Sequence, residues 1–192
     1  MLVTYYESMT VSSPPHDLQL VIDFVNTLDL DQGADELDTP SSLAAWLSDR
    51  NLLDGPARDV DDGHHAQSLE LREALRAAIV ANNGGARDPR STRELERIAE
   101  GGQLSVRFEA DGSVTLAPRA GGAMGALARL LVPVAHAAAD GSWQRVKGCA
   151  ADDCQWAFYD QSRNHSARWC DMAVCGNRTK VRTYRTKRDN GN

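Results

Sequence analysis

The placement of its four cysteines constrains this chain more than any other feature. They follow the pattern Cys-x4-Cys-x15-Cys-x4-Cys within 27 residues, and the other 165 residues contain no cysteine. Two cysteine pairs, each close in sequence and separated by a loop, are typical of a tetrahedral zinc site, whereas core packing would scatter cysteines over several elements. Redox chemistry and simple packing are the alternatives. The pattern predicts as metal ligands Cys149, Cys154, Cys170 and Cys175.

Four protein ligands fill the coordination shell of zinc, so the predicted ion is structural, one per chain, with no position for a catalytic water. The segment "CQWAFYDQSRN" between the two pairs is expected to contain a short strand. We expect Trp156, Phe158 and Trp169 to form a miniature core around the metal. A unit this small buries too little apolar surface to fold alone, so the metal supplies much of its folding free energy.

A basic helix is predicted to follow Cys175, because only Gly176 interrupts the pattern before Asn190-Gly191. A knuckle, a hairpin and a helix whose first turn supplies ligands make a treble-clef arrangement, with a zinc ribbon as the alternative. Helical spacing places Arg178, Arg182 and Arg185 on one face, and the flanking cations are Lys180, Lys187 and Arg188. Val181 and Tyr184 fall on a different face and are expected to pack inward.

The charge of the chain is divided unevenly along its length. Residues 1–142 carry 11 basic and 22 acidic residues, whereas residues 143–192 carry 10 basic and 5 acidic residues. A basic module on an acidic body favours binding to a polyanion, with Arg178 and Arg182 the candidates for contacting DNA bases. The cations predicted to contact nucleic acid are Arg163, Arg168, Arg178, Lys180, Arg182, Arg185, Lys187 and Arg188.

Other interpretations of the basic module stay open. It could dock on the acidic half of its own chain, serve as a protein-interaction surface in a ligand- or partner-binding protein, or bind RNA. Four thiolates around zinc carry an excess of negative charge, and Arg168 and Arg178 are close enough in sequence to neutralise it.

The N-terminal part is predicted to be mainly helical with one β-hairpin, so the fold class is α+β. Hydrophobic periodicity predicts helices in five segments, and Asp111-Gly112 between two alternating stretches predicts the hairpin. Asp17 and Ser91 are the expected N-caps of the first and fourth helices, Asn83-Gly84-Gly85 ends the third, and a kink is expected near Pro133. The domain boundary is placed between 1–142 and 143–192.

The N-terminal body contains no recognisable catalytic set, so a non-enzyme is expected. Asp23, Asn26 and Thr27 form a polar strip on the first helix and are candidates for lining a small-molecule cleft. The first 17 residues lack the basic and apolar regions of a secretory signal, and no apolar run approaches the ~20 residues of a membrane span. We therefore expect a cytoplasmic protein without a membrane partner.

These residues resemble a known family. The run from Cys149 to Arg188, with "FYDQSRN", "RWCDMAVCGNR" and the Cys-Gly-Asn-Arg at residues 175–178, is similar to CGNR zinc-finger proteins. The segments "DFVNTLD", "TPSSLAAWL" and "ELREALRAAI" resemble the ABATE domain that precedes this finger. The resemblance covers nearly the whole chain.

The resemblance implies a bacterial stress-induced or ligand-responsive transcriptional regulator with a zinc-dependent, DNA-binding C-terminus. The four cysteines carry over as zinc ligands. The motif positions that are filled here include Arg163, Asn164, Arg168, Arg178, Lys180, Arg182 and Arg185. His165 and Ala167 stand where basic residues are common, so this finger is expected to bind DNA more weakly than the pattern implies.

Overall fold

The computed structural model of the protein describes residues 14–189; the residues before Pro14 and the expected helix stop at Asn190-Gly191 lie outside them. The side chains of Thr183 and of residues 187–189 are also outside the description. The helices are α1 (Leu18–Val25), α2 (Pro40–Asp49), α3 (Asp62–Asn82), α4 (Pro89–Gly101), α5 (Gly122–Arg129), α6 (Leu131–Asp140) and α7 (Asn177–Asp189). The strands are β1 (Leu28–Asp29), β2 (Ala34–Asp35), β3 (Ser105–Phe108), β4 (Val114–Ala117), β5 (Val146–Gly148) and β6 (Ala157–Tyr159).

The strands pair as three separate antiparallel hairpins, β1–β2, β3–β4 and β5–β6. The predicted α+β class is therefore confirmed. The sequence pattern extends the first helix to Leu28, but α1 ends at Val25 and Leu28 belongs to β1. The two-residue β1–β2 ladder is too short for any periodicity to show in the sequence.

Helix α3 is the central element of the fold. Helices α1, α2, α4 and α5 and strand β5 pack around it. Its buried Leu71, Leu75 and Ile79 recur at helical spacing and meet Phe24 and Leu127 in one apolar core. The same core continues into the C-terminal part, because Val146 of β5 and Ala157 of β6 are buried members of it.

Two arginines of α3 are buried and organise the end of α1. Arg72 donates to both carboxylate oxygens of Asp35, at 2.6 and 2.8 Å, and this hydrogen bonding lowers the pKa of Asp35. Arg76 donates to the carbonyl oxygens of Val25 (2.7 Å) and Leu28 (3.2 Å). Arg76 thus satisfies a backbone carbonyl left unpaired where α1 ends, and Arg72 fixes the carboxylate of β2 beside it.

Two of the predicted helix starts need correction. α4 begins at Pro89, and Asp88 is its N-cap because its carboxylate accepts the backbone N–H of Arg90 at 2.9 Å. The expected cap, Ser91, already lies in the first turn. Asp17 occupies the N-cap position of α1, but its backbone is left-handed and its side chain makes no capping hydrogen bond.

The predicted kink separates α5 from α6 at Leu130. Pro133 has no N–H to donate to the carbonyl of Arg129, four residues earlier, so the ladder breaks there. Gly141 then ends α6 in a left-handed conformation. The segment 122–140 is long and apolar enough to cross a membrane by length and composition, but half of its most apolar window is buried inside the fold. That burial makes it weak support for a membrane span.

The junction between the two halves of the chain is a packed seam. The side-chain amide of Asn82 donates to the carbonyls of Trp143 (2.9 Å) and Val146 (3.0 Å). β5 lies so close to α3 that a Cβ added at Gly148 would meet Cγ2 of Val80 at 2.7 Å. The division at 142/143 stays a prediction, since the apolar core crosses it.

Candidate metal centre and its cationic surface

The four cysteines come from two turns that the fold brings together. Cys149 directly follows β5, and Cys154 lies in the turn that leads to β6, so the first pair sits at the tip of the β5–β6 hairpin. Cys170 ends the irregular segment 160–170. Cys175 lies in a π-helical turn, Met172–Gly176, that runs directly into α7. The hairpin thus carries the first pair rather than separating the two pairs.

The geometry of the four sulfur atoms fits zinc. All four Sγ atoms lie within 4.8 Å of one another, and the Cys154–Cys170 and Cys170–Cys175 Sγ separations are both 3.7 Å. A Zn–S distance of about 2.3 Å in a tetrahedron places sulfur atoms about 3.8 Å apart. A donor set of four thiols at this spacing matches one structural zinc ion per chain, with each cysteine supplying one ligand.

The second ligand pair is positioned by Asp171. Its carboxylate accepts the backbone N–H of Ala173 at 2.6 Å and that of Val174 at 3.1 Å, while its carbonyl accepts the N–H of Cys175 at 3.0 Å. Gly176 closes the turn, because a Cβ there would meet Sδ of Met172 at 2.5 Å. Asp171 is the one acidic residue between Arg163 and Arg188, and it caps this turn and so positions Cys175 as a metal ligand.

Without metal, the thiols cannot all ionise together. Burial raises the pKa of Cys154 to about 12, and burial and neighbouring thiolates raise the pKa of Cys170 further. Although burial opposes it, hydrogen bonding from the backbone N–H groups of Ala151 and Cys170 lowers the pKa of Cys149. A divalent cation is what holds four crowded thiolates in one buried site, so metal binding and folding are coupled here.

The miniature core around the metal is smaller than expected. Trp156 and Trp169 pack against the cysteine cluster, as predicted. Phe158 does not join them and lines a surface cleft instead. Ala157, which alternation places on the other face of β6, belongs to the main core.

Arg178 lies at the centre of a group of anions. Its guanidinium donates to Asp31, in the β1–β2 turn, at 2.8 Å and to Sγ of Cys175 at 3.8 Å, and it lies 3.5 Å from Asp153. The hydrogen bond from Arg178 to Asp31 and the nearby charges raise the pKa of Arg178. The predicted neutralisation of the thiolates by Arg178 thus agrees with its position beside a ligand.

Arg182 is also paired within the chain. Its guanidinium lies 3.6 Å from both Asp152 and Asp153, which are between Cys149 and Cys154. The two arginines predicted to contact DNA bases are therefore partly engaged by aspartates. The proximity of Asp152 and Asp153 to these arginines could have been predicted from the sequence, because a metal bound by all four cysteines brings the first cysteine pair next to the start of α7. No sequence pattern predicts the contact between Arg178 and Asp31.

The other predicted cations have different surroundings. The guanidinium of Arg168 lies over the ring of Trp169, 5.8 Å from its centroid, rather than against a thiolate. Among the described side chains, Arg163, Lys180 and Arg185 are exposed and form no ion pair. Lys187 and Arg188 lie on the last turn of α7. Asn164 is exposed in the irregular loop before Cys170.

That loop is held by a buried ion pair that the sequence analysis missed. Lys147 Nζ donates to Asp160 at 2.7 Å and to the carbonyls of His165 (2.7 Å) and Ala167 (3.2 Å). Burial would raise the pKa of Asp160, but hydrogen bonds from Lys147 and Ser162 outweigh it and lower the pKa. The loop that presents Arg163 and Asn164 is thus fixed from inside.

α7 projects from the metal centre with its apolar side chains exposed. Val181 and Tyr184 expose 50% and 69% of their surfaces, so the expectation that they pack inward is wrong. The physical reason is that, among the described helices and strands, the preceding π-helical turn is the one that packs extensively on α7, and the side chains of Val181 and Tyr184 stay largely uncovered. Val174, Asn177, Val181 and Arg185 line one shallow groove along it.

The three candidate ligand residues of α1 have distinct positions. Asp23 and Asn26 line an open cleft of about 580 Å³ between α1 and β6, together with Phe158. The amide of Asn26 is used by β6, since it donates to the carbonyl of Ala157 (3.0 Å) and accepts its N–H (2.7 Å). Thr27 is buried and donates to the carbonyl of Phe24, so it does not line the cleft.

Family models of known proteins match both the N-terminal body and the zinc finger. The ABATE family model, described as "Putative stress-induced transcription regulator", matches residues 18–141, and the CGNR zinc finger model matches residues 145–188. No curated protein matches the chain significantly. Since the ABATE match spans more than half of the chain and the four thiols have zinc-site geometry, the chain belongs to the ABATE family and carries a C-terminal CGNR zinc finger.

Proposed function

We propose that the protein is a DNA-binding transcriptional regulator that contacts duplex DNA through α7 and the loop before Cys170. The observation that carries this proposal is the mounting of α7, an exposed basic helix that continues directly from a metal-ligand turn. A helix fixed at its first turn by metal and free along one side can enter a major groove with little loss of conformational entropy. A cytoplasmic location and a stress-responsive role belong to the same proposal.

The exposed cations supply the phosphate contacts in this proposal. Arg163, Lys180 and Arg185 face solvent without an ion pair among the described residues. Lys187 and Arg188 extend the charge along α7. Contacts from lysine and arginine to phosphates provide most of the affinity for DNA and make it sensitive to salt.

The base contacts are assigned to the groove face of α7 rather than to Arg178 alone. Asn177, Val181 and Arg185 follow at intervals of four residues and line the same face. Their chemistry suits base edges, since an amide pairs with adenine, a guanidinium with guanine and an apolar side chain with the thymine methyl group. The exposure of Val181, unexplained by packing, has a purpose in this arrangement.

The aspartates around Arg178 and Arg182 compete with DNA for these arginines. Asp31 belongs to the N-terminal body, so its 2.8 Å contact with Arg178 links that body to the proposed DNA-binding helix. Phosphate binding at Arg178 requires this contact to open. The N-terminal body is therefore in a position to weaken DNA binding electrostatically.

Salt-dependent binding tests the proposal. Fluorescence anisotropy of zinc-loaded protein with mixed duplex fragments should show affinity that falls linearly on a log–log plot against salt. Arg185→Gln should reduce the salt slope by about one unit. Arg58→Gln, the same charge change at an exposed site of the N-terminal body, should leave the slope unchanged. The absence of salt-sensitive DNA binding by the wild-type protein would rule the proposal out. If structured RNA competes for the protein better than duplex DNA does, the nucleic acid that the protein binds is RNA.

The cleft between α1 and β6 supports a second candidate function, the binding of a small molecule. Its volume of about 580 Å³ lies within the ~300–1,000 Å³ of ligand pockets, and it combines the Asp23 carboxylate with Phe158. Asn26 joins its two walls, so a ligand there would act on the seam between the body and the zinc finger. An Asp23→Asn variant that loses a thermal shift produced by screened compounds would support this role. A screen without any Asp23-dependent shift would speak against it.

A further inference from the structure

The β3–β4 hairpin presents an apolar face that nothing else in the described chain covers. Val106, Phe108 and Val114 expose 55%, 83% and 58% of their surfaces. Leu116 lies on the same face, because the register pairs Val106 with Leu116 and Phe108 with Val114. Apart from their pairing with each other, β3 and β4 pack extensively against no other helix or strand of the described chain. An isolated two-stranded hairpin is marginally stable, and further strands sharing an apolar face are what stabilise it.

The hydrogen-bond pattern shows which backbone groups the hairpin leaves open. The N–H of Glu109 donates to the carbonyl of Ser113 at 2.9 Å, so these two residues form a hydrogen-bonded pair. Such pairs alternate along an antiparallel ladder, so Arg107 and Thr115 form the next one. The residues between them therefore direct N–H and C=O groups outward, those of Val106 and Phe108 on the β3 edge and those of Val114 and Leu116 on the β4 edge.

The two edges differ in their ability to pair with an identical strand. Two-fold pairing through β3 would place Arg107 opposite Arg107 of the other copy, which is unfavourable. Two-fold pairing through β4 places Thr115 opposite Thr115, and Val114 opposite Leu116 on the apolar face. β4 also lacks the charges, prolines and bulges that usually protect an edge strand from pairing. β4 is the self-complementary edge.

We infer that β4 pairs antiparallel with β4 of a second copy of this chain, centred on Thr115. The product is a four-stranded sheet in which the apolar side chains of both hairpins form one continuous face. Val114 and Leu116 gain cross-strand neighbours, and the outward backbone groups of β4 gain hydrogen-bond partners. This inference is independent of DNA binding, although a two-fold axis would suit a DNA site with two half-sites.

Cysteine cross-linking tests the register directly. In the paired sheet the two Thr115 residues form a non-hydrogen-bonded pair, with Cα atoms about 4.5 Å apart. That distance lies within the disulfide range of about 4.4–6.8 Å. Zinc-loaded Thr115→Cys protein should therefore give a covalent dimer under mild oxidation. Arg107→Cys, on the opposite edge, should stay largely monomeric. Equal cross-linking of both variants, or none at Thr115→Cys, would overturn the inference.

Sedimentation velocity provides a second, non-covalent measurement. The wild-type protein should show a concentration-dependent dimer. Thr115→Lys places two like charges at the two-fold axis and should weaken dimerisation at least tenfold, whereas Ala110→Lys, the same charge change in the exposed turn of the hairpin, should not. Equal far-UV circular dichroism spectra and equal denaturation midpoints would show that both variants are folded. A wild-type protein that is monomeric at every concentration would exclude the paired sheet.

Discussion

The N-terminal body and the zinc finger are stabilised by different means. In the body, α3 is surrounded by helices, and side chains such as Leu75 and Leu127 are fully buried in one apolar core. In the finger, Trp156 and Trp169 are only partly buried, and four sulfur atoms take the place of a core. The comparison teaches that a small basic module can be rigid without apolar bulk when a metal joins its turns.

Removal of a zinc ligand should have the largest effect on stability, and it should separate the behaviour of the zinc finger from that of the N-terminal body most clearly. Structural zinc contributes about 10–16 kcal/mol of apparent binding free energy in small zinc modules. Cys170→Ala should lose stoichiometric zinc, measured by elemental analysis, and should lose amide hydrogen-exchange protection in residues 160–189, which lie outside the main core. Protection in α3 should largely persist. Simultaneous loss of protection in α3 would show that the two regions fold as one unit.

Breaking the buried ion pair should have the next largest effect. Asp160→Ala leaves the Lys147 ammonium buried and unpaired, which costs about 3–5 kcal/mol. Chemical denaturation followed by Trp fluorescence measures the loss. A Lys147→Met/Asp160→Leu double variant should recover much of it, because no buried charge is left alone.

The same ion pair predicts a pH dependence. The pKa of Asp160 is lowered in the folded protein, so its contribution to stability is fully present above its ordinary pKa of 3.8. The contribution is lost as the pH falls through the lower folded-state pKa. Denaturation midpoints of wild type and Asp160→Ala should therefore converge in strong acid, and a constant difference down to the lowest pH would contradict this.

A core truncation in the N-terminal body should destabilise the body and leave the zinc site intact, the reverse of what zinc removal is expected to do. Leu127→Ala removes a fully buried side chain of α5 and should destabilise the body by about 2–5 kcal/mol. Zinc stoichiometry should stay at one per chain under native conditions. Loss of zinc from the folded variant would show that the finger depends on the core for its geometry.

Release of the contact between the two regions should have the smallest effect. Surface ion pairs contribute about 0–1 kcal/mol, so Asp31→Asn should strengthen DNA binding by at most about fivefold. Asp38→Asn, the same charge change at another exposed site of the body, is the matched control. Equal gains in both variants would show that only net charge matters and that Asp31 has no specific role.

The regions also differ in how much the sequence could predict. The zinc ligands, the start of α7 and the body helices follow from cysteine spacing and apolar periodicity, which are local patterns. The partners of Arg178 and Arg182 and the buried Lys147–Asp160 pair depend on how distant segments meet, and no local pattern records that. Val181 was misplaced because periodicity indicates that a helix has an apolar side, not that another element is present to cover it.

The packed seam between α3 and the zinc finger has a consequence for the evolution of the chain. The amide of Asn83 donates to the carbonyls of Gly148 (2.7 Å) and Arg168 (2.8 Å), which lie shortly before the first and the second cysteine pair. The zinc finger is therefore not an independent domain that recombination can join to any other protein. A new host would have to provide both the amide and the narrow gap beside Val80, so this finger and its body are expected to be inherited together.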